Sequence, residues 1–177
     1  MLQGSPIPRH IMEFRGETFT TGGRRKRRPT VLKEVKVKPS ASKAYFRKAA
    51  ISNDSFDIFR NYYLAIENVA SKIAVKRNIR NYRDGDLIEI ALRECFSSDL
   101  ELLEDNCNIP GFKPTGNIIE AIAMQLYRSY RCALNHAKNE RNNKIPFDDD
   151  DEQKVSSVLP LTELIVNSLI NYEDNNL

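Results

Sequence analysis

Between Thr115 and Lys138 the chain reads TGNIIEAIAMQLYRSYRCALNHAK, and its apolar residues return every three or four positions. At the helical advance of about 100° per residue, Ile119, Ile122, Ala123, Leu126, Tyr130, Ala133 and Ala137 share one side of a helix. A strand face would need alternation with period two, which this stretch lacks. The same spacing runs on from Asn53 or Asp54, either of which can cap a helix, to about Arg77: Ile58, Tyr62, Ala65, Ile66, Val69, Ile73 and Ala74 form a second stripe. Long helices with one apolar side must be covered by other elements, and the remaining apolar runs are helical too.

Ser40 or Ser42 can cap a short helix, SKAYFRKAAI; Asp84, Gly85 and Asp86 open LIEIALRECF; Ser97 to Asp99 interrupt the pattern before LELLEDN. After the connector NIPGFKPTG, Thr115 is the expected cap of the helix described first. The last run, VSSVLPLTELIVNSLINYE, predicts a closing helix with Pro160 in its first turn. The expected fold is all-α, an antiparallel bundle of four to five helices over residues 40–177, without the fixed repeat of a solenoid.

Residues 1–39 differ in texture. IMEFRGETFT and TVLKEVKVK roughly alternate around TGGRRKRRP, which predicts a basic N-terminal arm able to pair as a β-ribbon. A chain of 177 residues, 41% of them hydrophobic, supplies one main core and such an appendage. The net charge of +3 is mild, so the sign of the local field depends on where charges cluster. Three cysteines, Cys95, Cys107 and Cys132, form no CxxC pair, which argues for reduced thiols and a cytoplasmic location. No apolar run is long enough to cross a membrane, so no membrane partner is expected.

The side of the 115–138 helix opposite its stripe carries Arg128, Arg131, Asn135 and Asn139, with His136 at the border. An unperturbed imidazole gains and loses a proton near neutral pH, as attack of an RNA 2′-hydroxyl on its own phosphodiester requires. His136 is the only histidine of the helical region. A guanidinium is always charged and fork-shaped, which suits Arg131 to the equatorial phosphate oxygens of the transition state, and Asn135 can orient the phosphate or a base. A basic residue and a histidine near a helix C-terminus are also favoured by the helix dipole alone, so a purely structural role stays open.

The residues Arg131-Cys-Ala-Leu-Asn-His136, near the end of a helix in an α-helical chain, resemble the signature of the HEPN superfamily, an Arg and a His separated by four to six residues. The resemblance extends over about residues 54–172, through NYYLAIENVASKIAV and LYRSYRCALNHAKN, and is strongest toward the MauJ-like and bacterial defence-associated branches. It implies a metal-independent endoribonuclease, a toxin or antiviral effector, with Arg131, His136 and Asn135 in a composite site at a homodimer interface. It also implies RNA as substrate, no cofactor, and an antitoxin or defence-complex partner. Cys132 stands where family members often have a polar residue, which favours an alternative: a non-catalytic interaction or nucleic-acid-binding subunit.

Two charge runs complete the picture. Arg24, Arg25, Lys26, Arg27 and Arg28, joined by Arg128, can pair with phosphates and bind nucleic acid without reading sequence; a solvated loop is the other reading. Asp148 to Glu152 reads as a solvated acidic loop, with pairing to a neighbouring subunit's basic arm as its functional alternative. Adjacent carboxylates lack the spaced ligands and turn glycine of a calcium loop, so no metal site is expected there.

Overall fold

A computed structural model describes residues 40–114, 116–135 and 148–177. The basic arm with its ribbon, Arg24 to Arg28, Thr115 and His136 lie outside the described residues. Among those described, every regular element is a helix: α1 (Ala41–Ala50), α2 (Ser55–Lys76), α3 (Asp84–Phe96), α4 (Leu100–Asn106), α5 (Ile118–Met124), α6 (Ala133–Asn135) and α7 (Asp149–Asn176). The all-α expectation holds. No described helix is long and apolar enough to cross a membrane.

α2 is the hub, packed against α1, α3 and α7, while α3 packs in turn against α5. Its cap is Asp54, whose carboxylate accepts the Asp57 N–H at 2.8 Å. The stripe seen in the sequence is the one that faces the core: Tyr62, Ala65, Ile66, Val69, Ile73 and Ala74 lie inside, and Ile58 is partly buried against them. α2 ends where Asn78 takes φ 57 and the Ile79 N–H turns back to the Ala74 carbonyl at 2.9 Å, a left-handed stop that asparagine tolerates better than most residues. Ile88 and Leu92 of α3, Ile122 of α5 and Leu161, Ile165 and Leu169 of α7 close the core around it.

Two boundaries depart from expectation. α5 is capped by Asn117, whose side chain accepts the N–H groups of Ile119 at 3.0 Å and Glu120 at 3.4 Å. Replacing Asn117 with alanine is expected to cost about 1 kcal/mol, measurable as a lower midpoint in urea unfolding. The acidic run is not a loop: Asp148 caps α7 by accepting the Asp151 N–H at 3.0 Å, and Asp149 to Glu152 form its first turn. Carboxylates there face the positive end of the helix dipole, which allows α7 to start well before Pro160. Pro160 therefore sits inside α7, exposed, while Val155, Val158, Leu161 and Ile165 carry the buried face across it.

At the other end of α7, Glu173 ties three helices together. Its carboxylate accepts from Ser40 at 3.0 Å, from Ser42, and from Lys72 of α2 at 2.5 Å. Burial pushes this carboxyl up, but the Lys72 ammonium and the two hydroxyls outweigh it and hold Glu173 below the usual glutamate range.

Candidate functional site around Arg131

α5 does not continue as an α-helix through the polar motif. From Gln125 to Cys132 the backbone is π-helical, and α6 follows directly. In a π-helix the hydrogen bonds run five residues back and the turn is wider, so residues five apart fall nearly in line. Arg131 is thereby brought round toward the side of Leu126, which is fully buried, whereas ordinary helical spacing would set the two nearly opposite. The expectation that Arg131 points away from the apolar stripe is corrected by this local geometry. Arg128 does stay exposed, as expected. Asn135 closes α6, and His136 follows it outside the described residues.

The Arg131 side chain keeps a quarter of its surface exposed and lies between two carboxylates: its Nη2 is 3.6 Å from Glu67 Oε1 on α2 and 3.6 Å from Asp84 Oδ2 at the start of α3. Both distances are ion-pair rather than hydrogen-bond separations. Two aromatic rings flank the guanidinium, with centroids 6.0 Å away for Tyr63 and 5.7 Å for Tyr127. Behind them Phe59 stands 5.9 Å from Tyr63 and 5.5 Å from Tyr130, centroid to centroid, which fixes the Tyr63 ring. Gly85 allows α3 to come this close: a Cβ there would stand 3.3 Å from Cδ1 of Tyr127.

The electrostatics are mutual. Burial pulls the Arg131 guanidinium down, but Glu67, Tyr63 and Asp84 outweigh it and leave its pKa above the ordinary arginine value. Burial pushes the Glu67 carboxyl up; Arg131 opposes this and Asp84 adds to it, with a net rise. A half-buried carboxyl with a raised pKa beside a fixed cation can take up or release a proton, and a fixed guanidinium can hold an anion. Tyr63 is also pushed up, first by burial and then by Glu67, and so remains a neutral hydroxyl. A cleft of about 80 Å³ opens beside these groups, lined by Phe59, Arg60, Tyr63, Leu64, Glu67, Arg131 and Leu134.

Of the residues singled out in the sequence, Arg131 is central, Arg128 lies on the exposed side of the same segment, and Asn135 ends the same helix. Glu67, Asp84, Tyr63 and Tyr127 were not anticipated. Glu67 did carry a signal, as the single acidic residue in NYYLAIENVASKIAV. Cys132 is partly buried beside Arg131 and forms no disulfide.

Among curated proteins and among solved structures nothing matches this chain. The model of one family, described as methylamine utilization protein MauJ, matches residues 43–171, a span that takes in Tyr63, Glu67, Asp84, Tyr127 and Arg131. The chain belongs to the MauJ family.

Proposed function

We propose that this chain is a HEPN-type, metal-independent endoribonuclease, active as a homodimer and serving as a toxin or antiviral effector in the cytoplasm. The observation that carries the reading is the placement of Arg131: a π-helical turn holds it half-buried between Glu67 and Asp84, at the end of the helix that leads into Asn135 and His136. Its guanidinium holds the equatorial oxygens of the scissile phosphate, where negative charge grows in the transition state. His136 moves the proton of the attacking 2′-hydroxyl or of the leaving 5′-oxygen, and Asn135 orients the phosphate. Glu67 and Asp84 fix the guanidinium, a positioning role. Arg128 and the arm residues Arg24, Arg25, Lys26, Arg27 and Arg28 supply further phosphate contacts, which makes binding sensitive to salt. The dimeric composite site, the RNA substrate and an antitoxin or defence-complex partner come from the HEPN resemblance.

Product ends test the chemistry. Attack by the 2′-hydroxyl leaves a 2′,3′-cyclic phosphate and a 5′-hydroxyl, and a 2′-deoxy substitution at the cut position blocks it. Products with 5′-phosphates, or cleavage of the 2′-deoxy substrate, would contradict it. A second reading is favoured by one feature: Arg131 is already faced by two carboxylates of its own chain and followed by Cys132. In that reading the bundle is a non-catalytic module, and it predicts salt-dependent RNA binding without turnover.

A further inference from the structure

Between α2 and α3 the chain reads KRNIRNYR from Lys76 to Arg83, four cations and no carboxylate. The ion pairs around this connector show where it runs. Arg131 meets Glu67 of α2 and Asp84 of α3 together, whereas Arg77, at the end of α2, pairs with Glu94 of α3. Glu67 and Arg77 are ten residues apart, as are Asp84 and Glu94, so the two helices run side by side in the same direction. The connector therefore returns by the length of that helical stretch, about 15 Å, from the Arg77 end to the Arg131 cleft. A chain from Arg77 to Asp84 reaches about 25 Å at most, so it lies stretched along the surface instead of closing in a tight turn. Ile79 pins it, partly buried against the core, while Arg80, Asn81, Tyr82 and Arg83 are exposed. Lys76 reaches the Asn176 carbonyl oxygen and Arg77 has Glu94. Among the described residues no carboxylate pairs with Arg80 or Arg83.

We propose that this connector is a track for single-stranded RNA, which leads the strand's phosphates from the end of α2 to Arg131. The proposal rests on the ribonuclease reading for Arg131 as the phosphate holder at its far end. Cations strung along a path, rather than gathered round one point, fit a polymer with a charge at each repeat and not a single phosphate or a small acid. At about 3.4 Å per phosphate, the return takes roughly four nucleotides. Tyr82, 37% exposed between Arg80 and Arg83, offers a ring face on which a base can stack. An acidic peptide or an anionic lipid surface has no base to set against that ring, and a duplex keeps its bases stacked on one another.

Fluorescence anisotropy of the full chain with a labelled 2′-O-methyl strand of about twelve nucleotides, which lacks the attacking hydroxyl, tests binding apart from cleavage. Arg80→Gln combined with Arg83→Gln is expected to weaken binding about tenfold and to lower the slope of log Kd against log salt by about 1.4, the share of two phosphate contacts on a single strand. Both side chains are exposed, and the bond from the Arg83 backbone N–H to Asp86 at 3.0 Å is kept, so α3 starts as before. Tyr82→Leu should weaken binding about tenfold with the slope unchanged. Arg47→Gln combined with Lys48→Gln removes the same charge from the exposed last turn of α1 and should bind as the wild type does. Unchanged affinity in the Arg80 and Arg83 variant, an equal loss in the α1 variant, or no loss in Tyr82→Leu overturns the proposal. A polyglutamate peptide that binds as tightly and loses as much in the Arg80 and Arg83 variant overturns it in favour of an acidic protein partner. The nuclease reading fails separately. Strand binding through the connector by a chain that leaves unmodified RNA intact keeps the track and ends the nuclease; cleavage with strand binding indifferent to the connector substitutions does the reverse.

Discussion

Arg131→Leu is expected to lower the unfolding free energy by about 2–3 kcal/mol at neutral pH, somewhat less than loss of a partner from a fully buried ion pair. The leucine covers the Tyr63 and Tyr127 rings as the arginine stem did, so packing changes little. What is lost is the cation that opposes the rise of the Glu67 carboxyl. In the wild type burial already sets that group above its ordinary value of 4.5, and without Arg131 it moves further up. A carboxyl raised in the folded state favours folding at low pH, where it is protonated in both states, and this contribution is lost as pH rises through the folded value. The deficit of Arg131→Leu should therefore be largest near neutrality and shrink as pH falls toward 4.5. Urea unfolding of both proteins across that range would show the two curves converging. A constant gap would mean that Arg131 stabilises the fold by packing alone.

A larger loss is expected from Leu126→Ala. Leu126 lies fully buried within the π-helical segment, in the same core as Ile88, Leu92 and Ile122. Truncation removes its apolar surface from the core and leaves a cavity, an effect of about 2–5 kcal/mol. π-helical turns are rare and tolerated mainly where surrounding contacts hold them. Loss of Leu126 should thus also loosen Arg131 from Glu67, visible as an upward shift of the Glu67 side-chain titration by NMR as the cation that opposes its rise moves away. A calorimetric transition unchanged from wild type would contradict this role.

Hydrophobic periodicity made the bundle legible. The stripe of α2 from Tyr62 to Ala74 and the cap at Asp54 were readable because each depends only on neighbours in the sequence. Leu126 and Tyr130 were assigned to the core for the same reason. The error at Arg131 has a definite source: a uniform 100° step was applied to a segment whose backbone is π-helical, and nothing in QLYRSYRC announces that change. The acidic run was misplaced because Asp148 to Glu152 were read as a solvated loop rather than as partners of a helix end. Glu67 and Asp84 meet Arg131 only through the packing of α2 and α3 on the π-helical segment, a relation no local pattern encodes. Single residues of the site were therefore visible in the sequence, and their company was not.

Cleavage of single-stranded RNA in EDTA, comparing wild type with Arg131→Lys and His136→Ala after circular dichroism has shown all three folded, tests the nuclease most directly. Lysine keeps a positive charge between Glu67 and Asp84, so the fold is retained, but it lacks the planar fork that holds two phosphate oxygens at once. The wild type is expected to cut, and each variant to lose about 100- to 1000-fold in rate, the cost of removing one preorganised transition-state contact. Intact RNA with the wild type, or equal cutting by all three, would contradict a ribonuclease built on Arg131 and His136.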